Sequence, residues 1–206
     1  MKKLAILGAS GHGKVIADIA LLCGYDAIVF LDDNPEIKSL GDFPVVGKTS
    51  ETEVLSQAGY DFIVGIGNAA IRARMQDELE KLGRSVVTLI HPHAVIAYDV
   101  HAGTGSVIMA GAVVNPGTTI GRGCIINTCA SVDHDNQIGD FAHISVGAHT
   151  AGTVTVGEGA WVGIGAVISN NITVCAGVTL GAGAVVVKDI TEPGTYVGVP
   201  AVKLNK

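Results

Sequence analysis

The residues best suited to chemistry in this sequence lie in the stretch "SVDHDN", where His134 stands between Asp133 and Asp135. Imidazole has a reference pKa of about 6.5, so it can accept a proton at neutral pH. A carboxylate bound to its second nitrogen would fix the tautomer and stabilise the imidazolium. Side chains alternate along a strand, so both aspartates would point the same way, and the residues alone leave the choice between them open. The segment predicts a general base.

His134 interrupts a regular repeat. Seventeen positions spaced six residues apart from Ile90 to Val186 hold Ile, Val or Leu in fifteen cases, and the residue four places later is usually small. A six-residue unit cannot bury its own apolar face and must stack on its neighbours, which predicts a β-solenoid. A helix would need a period of 3.6 residues.

Asn136 takes a position in this repeat that small residues normally hold. Burying its amide carries a desolvation penalty, so we expect a compensating role at this point of the chain.

The first part of the chain has a different pattern. Short aliphatic runs alternate with helix-like segments: "LAILGA", "GKVIADIALLCG", "AIVFLD", "FIVGIG", "AAIRARMQDELEKLG" and "VVTLI". Strands separated by helices predict a parallel sheet with crossover helices. The sequence therefore predicts a Rossmann-like α/β domain over residues 1–89 and a solenoid domain over residues 90–206.

The first turn of the α/β domain, "GASGHG", joins a strand to a helix, where backbone N–H groups and the helix dipole favour an anion such as phosphate. Its spacing is GxxGxG rather than the GxGxxG of dinucleotide sites, so NAD is not predicted. Asp32 and Asp33 follow the second strand, where an acidic residue often holds a ribose hydroxyl. These features predict a nucleotide site; the alternative is a tight glycine turn beside a solvated strand end.

Composition excludes several classes of partner. A formal charge of −6 and a pI near 5.5 argue against nucleic acid or an anionic membrane as the main partner. The N-terminal segment reads as neither a signal peptide nor a membrane span, so no direct membrane insertion is expected.

The cysteines and the remaining histidines do not form a metal-binding pattern. Cys23, Cys124, Cys129 and Cys175 lack CxxC spacing and have aliphatic neighbours, which predicts free thiols in a reducing cytoplasm. His91 and His93 have no partner at ligand spacing, so no metal is expected.

The uninterrupted hexads resemble the left-handed parallel β-helix of the hexapeptide-repeat acyltransferases. The whole chain resembles one branch more closely, the bacterial UDP-4-amino-sugar N-acetyltransferases of protein glycosylation and the related sialic acid O-acetyltransferases. The motifs that carry the resemblance are "GASGHG" (8–13), "FLDD" (30–33), "GIGNAAIR" (65–72), "LIHPHAVI" (89–96), "NTCASVDHD" (127–135), "GDFAHISVGAHTAG" (139–152) and "VGVPA" (197–201).

The resemblance implies a cytoplasmic homotrimer with acetyl-CoA lying along the solenoid between subunits. It assigns His134 as general base, Asp135 as its orienting carboxylate and the Gly152 N–H as oxyanion donor. His143 would contact the carbonyl or pantetheine of acetyl-CoA, with a simple corner histidine as the alternative. Acetyl-CoA would also contact Ala151, Gly152 and Pro200. The N-terminal domain would hold the uridine and diphosphate through Gly8, Ser10, Gly11, His12, Gly13, Asp32, Asp33, Gly67 and Asn68.

The predicted function is acetyl-CoA-dependent N-acetylation of the 4-amino group of a UDP-linked, bacillosamine-type dideoxy sugar, by direct attack on the thioester. Two alternatives stay open: O-acetylation of sialic acid or a capsule sugar, and a noncatalytic trimer that binds nucleotide sugars. The sequence does not distinguish gluco from galacto configuration.

Overall fold

The computed structural model describes residues 1–204, which divide into two compact units. The first comprises Met1–Pro92 and the second begins at His93.

The first unit is an α/β sandwich built on a five-stranded sheet. Its elements are β1 (Lys2–Leu7), α1 (Gly11–Leu22), β2 (Tyr25–Leu31), β3 (Ser39–Leu40), β4 (Phe43–Gly47), α2 (Glu53–Gln57), β5 (Asp61–Val64), α3 (Ala69–Lys81) and β6 (Leu89–Ile90). The sheet order is β3-β4-β2-β1-β5, and only the β3–β4 pair is antiparallel. The predicted Rossmann-like unit is confirmed.

Alternation along β1 explains how this sheet is covered on both faces. Ala5 and Leu7 belong to a cluster that includes Leu79 of α3, and the alternating residues Leu4 and Ile6 are fully buried on the opposite face. A sheet buried on both sides reads as a continuous aliphatic run, which is why "LAILGA" signals a strand so clearly.

Three elements of this unit carry weaker sequence signals. β4 is only half-buried and contains Pro44, so it lacks the continuous apolar run that marks β1 and β2. β3 and α2 are short and were not predicted either. The predicted strand "VVTLI" is reduced to an isolated bridge at Val86 and the two-residue β6.

The second unit is a left-handed parallel β-helix with three faces, as predicted. The first face contains β7 (Val95–Ile96), β10 (Val113–Val114), β13 (Ser131–Val132), β16 (His149–Thr150), β19 (Val167–Ile168) and β22 (Val185–Val186). The second contains β8 (His101–Ala102), β11 (Thr119–Ile120), β14 (Gln137–Ile138), β17 (Thr155–Val156) and β20 (Thr173–Val174). The third contains β9 (Val107–Ile108), β12 (Ile125–Ile126), β15 (His143–Ile144), β18 (Trp161–Val162), β21 (Val178–Leu180) and β23 (Gly194–Val197), to which β24 (Val202–Lys203) adds antiparallel.

The coils stack in a fixed register of eighteen residues. Val113, for example, lies opposite Val95 of the preceding coil and Ser131 of the next. The aliphatic position of each hexad points inward, and Val132, Val156 and Val162 are completely buried. We call the position four residues later the small slot. Its alanines are also buried: Ala112, Ala130, Ala142, Ala148, Ala160, Ala166 and Ala184.

A residue with left-handed backbone conformation recurs every six residues at the corners between residues 105 and 183. Nine of these corner residues are glycine, and the other five are Cys129, Asp135, Phe141, Thr153 and Asn171. A side chain in this conformation costs about 1–2 kcal/mol, although Asp and Asn tolerate it better. The coil geometry therefore imposes the corner conformation even where the residue disfavours it.

The glycines of the solenoid meet two separate requirements, and alanine substitution distinguishes them. Gly165 has φ +64° and open space where a Cβ would lie, whereas a Cβ on Gly157 would clash with the backbone of Cys175 and Ala176 in the next coil. We expect Gly165→Ala to lower the free energy of unfolding by about 1–2 kcal/mol. Gly157→Ala should lower it by about 3 kcal/mol, because backbone atoms cannot move aside. Urea denaturation measures both values, and equal losses would contradict the distinction.

Candidate active site

His134 lies on the corner that joins β13 to β14, outside the prism formed by the coils. Its side chain is 56% exposed. Val132, two residues earlier, points into the interior and anchors the strand. The corner therefore presents the imidazole to solvent on a rigid support.

Asp135 contacts the ring of His134 directly. The distance from His134 Nδ1 to Asp135 Oδ2 is 2.8 Å. A carboxylate only accepts hydrogen bonds, so Nδ1 carries the proton and the neutral ring keeps its lone pair on Nε2. Asp135 occupies a left-handed corner position with φ 56°, and that backbone turn brings its carboxylate round to the ring. The geometry leaves Nε2 as the atom that can accept a proton.

Asp133 has a different role from Asp135, although both flank the same histidine. Its Oδ1 accepts the backbone N–H of His134 at 2.8 Å and the side-chain amide of Asn115 at 2.7 Å. Asn115 lies one coil earlier, so Asp133 fastens the backbone of His134 to the preceding coil. The hydrogen bond from Asn115, followed by that from His134, holds the pKa of Asp133 below its usual range.

Gly152 lies beside the ring, one coil after His134. A Cβ at Gly152 would clash with Nε2 and Cε1 of His134, so the imidazole occupies space that any other residue would fill. The Thr153 N–H donates to the His134 carbonyl at 2.9 Å, which fixes the separation of the two coils. The proton-accepting nitrogen therefore faces the backbone of Gly152.

The electrostatic surroundings favour the protonated form of His134. The hydrogen bond to Asp135 raises the pKa of His134 above its ordinary value, and the charges of Asp133 and Asp135 act in the same direction. Each favours the imidazolium that would form when the ring accepts a proton.

Two other histidines of the solenoid, His143 and His149, lie on its flat faces in β15 and β16. Asn127 Nδ2 donates to His143 Nε2 at 3.0 Å, and the His143 ring stacks on Trp161 with 5.8 Å between centroids and 2° between planes. His149 Nδ1 lies 2.8 Å from Ser131 Oγ. Both histidines are oriented by neighbouring coils.

Two further residues predicted to contact acetyl-CoA lie at different places. Ala151 precedes Gly152, and its carbonyl accepts the Asn136 amide at 2.9 Å. Pro200 follows a cis peptide bond and lines a separate cavity of about 290 Å³ with Tyr196 and Lys188. The structure therefore gathers Ala151 but not Pro200 at the His134 corner.

The glycine turn of the first unit lies at the carboxyl ends of β1 and β5, where the direction of strand succession changes. This switch point is where open α/β sheets bind ligands. Gly8 has φ +107°, and a Cβ on Gly13 would clash with the Gly8 carbonyl, so the turn needs both glycines. Ser10 Oγ donates to the Gly65 carbonyl at 3.1 Å, which ties the turn to the end of β5. Gly11, at the start of α1, has open space where a Cβ would lie.

The two aspartates after β2 are engaged within the unit. Asp32 Oδ2 accepts the Ala9 N–H of the glycine turn at 2.7 Å, and its Oδ1 accepts the Asn34 N–H at 2.8 Å. Asp33 accepts instead from the backbone and hydroxyl of Thr49. Asp32 therefore adjoins the turn, whereas Asp33 holds a neighbouring loop.

His12 and Arg72 are both largely buried, but His12 is neutral whereas Arg72 is charged. Burial lowers the pKa of His12 to about 4, and the charge of Arg72 acts in the same direction, so His12 is neutral at physiological pH. Arg72 is buried and donates to the carbonyls of Ile66 and Gly67 at 2.9 and 2.7 Å. Asn68 comes directly after Gly67, and its Oδ1 caps α3 by accepting the Ile71 N–H at 3.0 Å.

Sequence reasoning did not assign roles to Asn115, Gly117 and Arg72. Asn115 and Gly117 precede Asp133 and Asp135 by eighteen residues, and a Cβ on Gly117 would clash with Asp135 Oδ1. The coil period was the signal that could have located both. Arg72 lies within the motif "GIGNAAIR", but its burial becomes visible only in the fold.

Two kinds of feature are absent from residues 1–204. No three His, Cys, Asp or Glu side chains in this range come together to hold a metal ion. None of the helices described there is long and apolar enough to cross a membrane.

Comparison with known proteins agrees with this fold. Residues 3–79 match the family model of the PglD N-terminal domain. A segment of 113 residues is 37% identical to the UDP-N-acetylbacillosamine N-acetyltransferase of Bacillus subtilis (strain 168) and covers 53% of this chain. The match spans about half the length of that curated relative, 52%.

Two solved structures match along almost the whole chain. The acetyltransferase domain of PglB from Neisseria gonorrhoeae FA1090, in complex with acetyl coenzyme A, is 45% identical with a TM-score of 0.95, covering 98% of this chain and 99% of that one. PerB from Caulobacter crescentus, in complex with CoA and GDP-perosamine, is 35% identical with a TM-score of 0.94, covering 100% and 98%. The chain belongs to the family of left-handed β-helix acetyltransferases that carry a PglD N-terminal domain.

The two aspartates can be distinguished by their effect on the His134 titration. Asp135→Asn removes the carboxylate at Nδ1, so the pKa of His134 should fall back toward its ordinary value. Asp133→Asn removes a charge but no hydrogen bond to the ring, so it should lower this pKa less. NMR titration of the imidazole measures both shifts. A larger fall in Asp133→Asn would contradict the assignment of Asp135 to the ring.

Proposed function

We propose that this protein transfers an acetyl group from acetyl-CoA to the 4-amino group of a UDP-linked dideoxy sugar. The observation that carries the proposal is the arrangement at the His134 corner, where Asp135 holds Nδ1 and Nε2 faces the backbone of Gly152. The family relatives support the reaction class, since one is named as a UDP-N-acetylbacillosamine N-acetyltransferase and another binds acetyl coenzyme A.

The reaction requires one proton transfer to His134 and one from it. The neutral amine attacks the thioester carbonyl, and Nε2 of His134 takes the proton that the nitrogen loses. The carbonyl oxygen becomes an oxyanion, for which the Gly152 N–H is the proposed donor. When the tetrahedral intermediate collapses, the C–S bond breaks and the imidazolium returns the proton to the CoA sulfur. No acyl-enzyme forms, and Asp135 stabilises the imidazolium between the two transfers.

The N-terminal unit is the proposed nucleotide site. The turn Gly8–Gly13 presents the start of α1 at the sheet's switch point, where N–H groups attract a diphosphate. His12 is neutral because its pKa is about 4, so it would offer a hydrogen bond there rather than a charge. Asp32 adjoins this turn through Ala9 and is the better placed of the two candidates for the ribose. Gly67 and Asn68 follow β5, at the same edge of the sheet as the turn.

The proposal extends to assembly and to acetyl-CoA contacts. A homotrimer would place acetyl-CoA between neighbouring solenoids, where His143, Ala151, Gly152 and Pro200 are the proposed contacts. Acetyl-CoA and nucleotide sugars are cytoplasmic metabolites, so we place the reaction there.

A thiol-release assay tests the reaction. Acetyl-CoA with a UDP-4-amino-4,6-dideoxy sugar should release CoA, and the product should resist mild alkali as an amide. His134→Ala should lower kcat by about 100- to 10,000-fold, the usual contribution of a general base. Faster turnover with sialic acid and an alkali-labile product would show O-acetylation instead. Unchanged turnover in His134→Ala would refute the catalytic assignment.

A binding experiment tests the nucleotide site separately. Gly11→Ala places a methyl group in the open space at the start of α1 without straining the turn. If a diphosphate approaches there, losing one charge-assisted hydrogen bond of about 1.5–3 kcal/mol should weaken UDP binding at least ~10-fold. Asp18→Ala, on an exposed face of the same helix, is the control and should bind UDP normally. Isothermal titration calorimetry with UDP measures both, and equal affinities would place the nucleotide elsewhere.

A further inference from the structure

Asn136 is a fully buried polar residue in a column of small slots. Its side chain is 0% exposed, and the slots one coil earlier and one coil later hold the buried Thr118 and Val154. Its Oδ1 finds no hydrogen-bond donor among the described residues, which makes asparagine a costly choice for stability alone. The desolvation of this amide oxygen indicates that Asn136 has a role other than packing.

The amide nitrogen of Asn136 gathers three carbonyls at the His134 corner. Nδ2 lies 2.8 Å from the Asp133 oxygen, 3.1 Å from the His134 oxygen and 2.9 Å from the Ala151 oxygen. The first two carbonyls belong to the peptide units on either side of His134. The third belongs to the residue before Gly152. One buried group therefore fixes both the coil that carries the imidazole and the coil that faces Nε2.

Thr118 continues the same column one coil earlier. Its hydroxyl donates to the Asp133 carbonyl at 2.7 Å and accepts the Asn136 N–H at 3.2 Å. Thr118 and Asn136 thus form a continuous polar column inside the prism, directly behind the catalytic corner.

Ser106 occupies a second polar slot, on a corner that carries no proposed catalytic residue. Ser106 donates to the Gly121 carbonyl at 2.8 Å and accepts the Cys124 N–H at 2.9 Å, at the same sequence offsets as Thr118. It lies on the corner between β8 and β9. A hydroxyl in a slot is therefore a general means of joining coils, and the additional bonds of Asn136 to its own corner are what distinguish the His134 site.

We propose that Asn136 is a positioning residue for the acetyl-transfer reaction, which holds His134 and Gly152 in mutual register from inside the solenoid. It touches neither substrate, and it acts through the backbone that carries the base and its facing glycine. The inference rests on the proposed function of the same site.

Alanine substitution should separate positioning from stability. In Asn136→Ala the Asp133 carbonyl keeps Thr118 as a donor, and the His134 carbonyl keeps the Thr153 N–H. Only the Ala151 carbonyl loses its side-chain donor, and slots on the other two corners of the coils already hold alanine. The variant should therefore fold, while the corner gains freedom to shift relative to Gly152.

The expected result is a fall in kcat of about 10- to 100-fold with little change in KM, since small displacements of reacting groups have effects of this size. The His134 ring would also meet Asp135 less consistently. The raised pKa of His134 should then move down toward its ordinary value, and the acid limb of the kcat/KM profile should move with it. The charged groups that face the ring are Asp133 and Asp135, both on its own corner.

Ser106→Ala is the matched control, because it removes an equivalent slot bond from a different corner. It should also fold, and it should retain kcat and the His134 titration. Asn136→Ser, which keeps one hydroxyl donor, should restore part of kcat, and it replaces the alanine variant if that variant does not fold.

The experiment combines steady-state kinetics with NMR titration of the imidazole in all three variants. Wild-type kcat and an unmoved His134 titration in Asn136→Ala would overturn the proposal, as would equal losses in Ser106→Ala. The titration does not depend on turnover. If the wild-type protein acetylated no amino sugar, the shift of the imidazole would still report whether Asn136 positions it.

Discussion

The site depends on the parallel register that stacks the coils of the solenoid at intervals of eighteen residues. Backbone hydrogen bonds between neighbouring coils convert a separation in sequence into direct contact. They place Asn115 next to Asp133 and Gly152 next to His134. A shift of one residue would exchange inward and outward side chains throughout the prism, so the buried Val, Ile and Ala positions hold the register. The apolar core therefore positions the polar site.

The left-handed corners, together with this register, set the geometry of the proposed active site. At most corners glycine adopts the conformation at little cost, but Asp135 adopts it with a side chain, and the turn directs its carboxylate to the ring of His134. The absence of a side chain is equally important on the coil before this corner and on the coil after it. Gly117 leaves room for the carboxylate and Gly152 leaves room for the imidazole. The neighbouring coils thus contribute space as much as contacts.

The N-terminal unit follows a different constraint, the switch in strand order beside β1. Its glycine turn and the loop after β5 converge because parallel strands end at the same edge. Asp32 joins the turn through the Ala9 N–H, and Arg72 holds the carbonyls of the opposite loop. The low pKa of His12 follows from burial beside this cation. The turn and the loop are therefore held by internal bonds, and the first N–H groups of α1 have no partner within the helix.

The sequence by itself determined the two architectures and singled out His134 as the candidate base. The six-residue period and the aliphatic runs both follow from burial, and each pattern recurs often enough along the chain to be recognised in the sequence. The histidine between two aspartates could be recognised because it departs from the six-residue repeat. The tertiary structure decided which aspartate meets the ring, because alternation along a strand does not hold at a left-handed corner. It also revealed Asn136 as the donor to three carbonyls, and Arg72 as a buried clamp. Hydrogen-bond partners depend on where backbone carbonyls point, and that direction is fixed only when neighbouring coils and strands are in place.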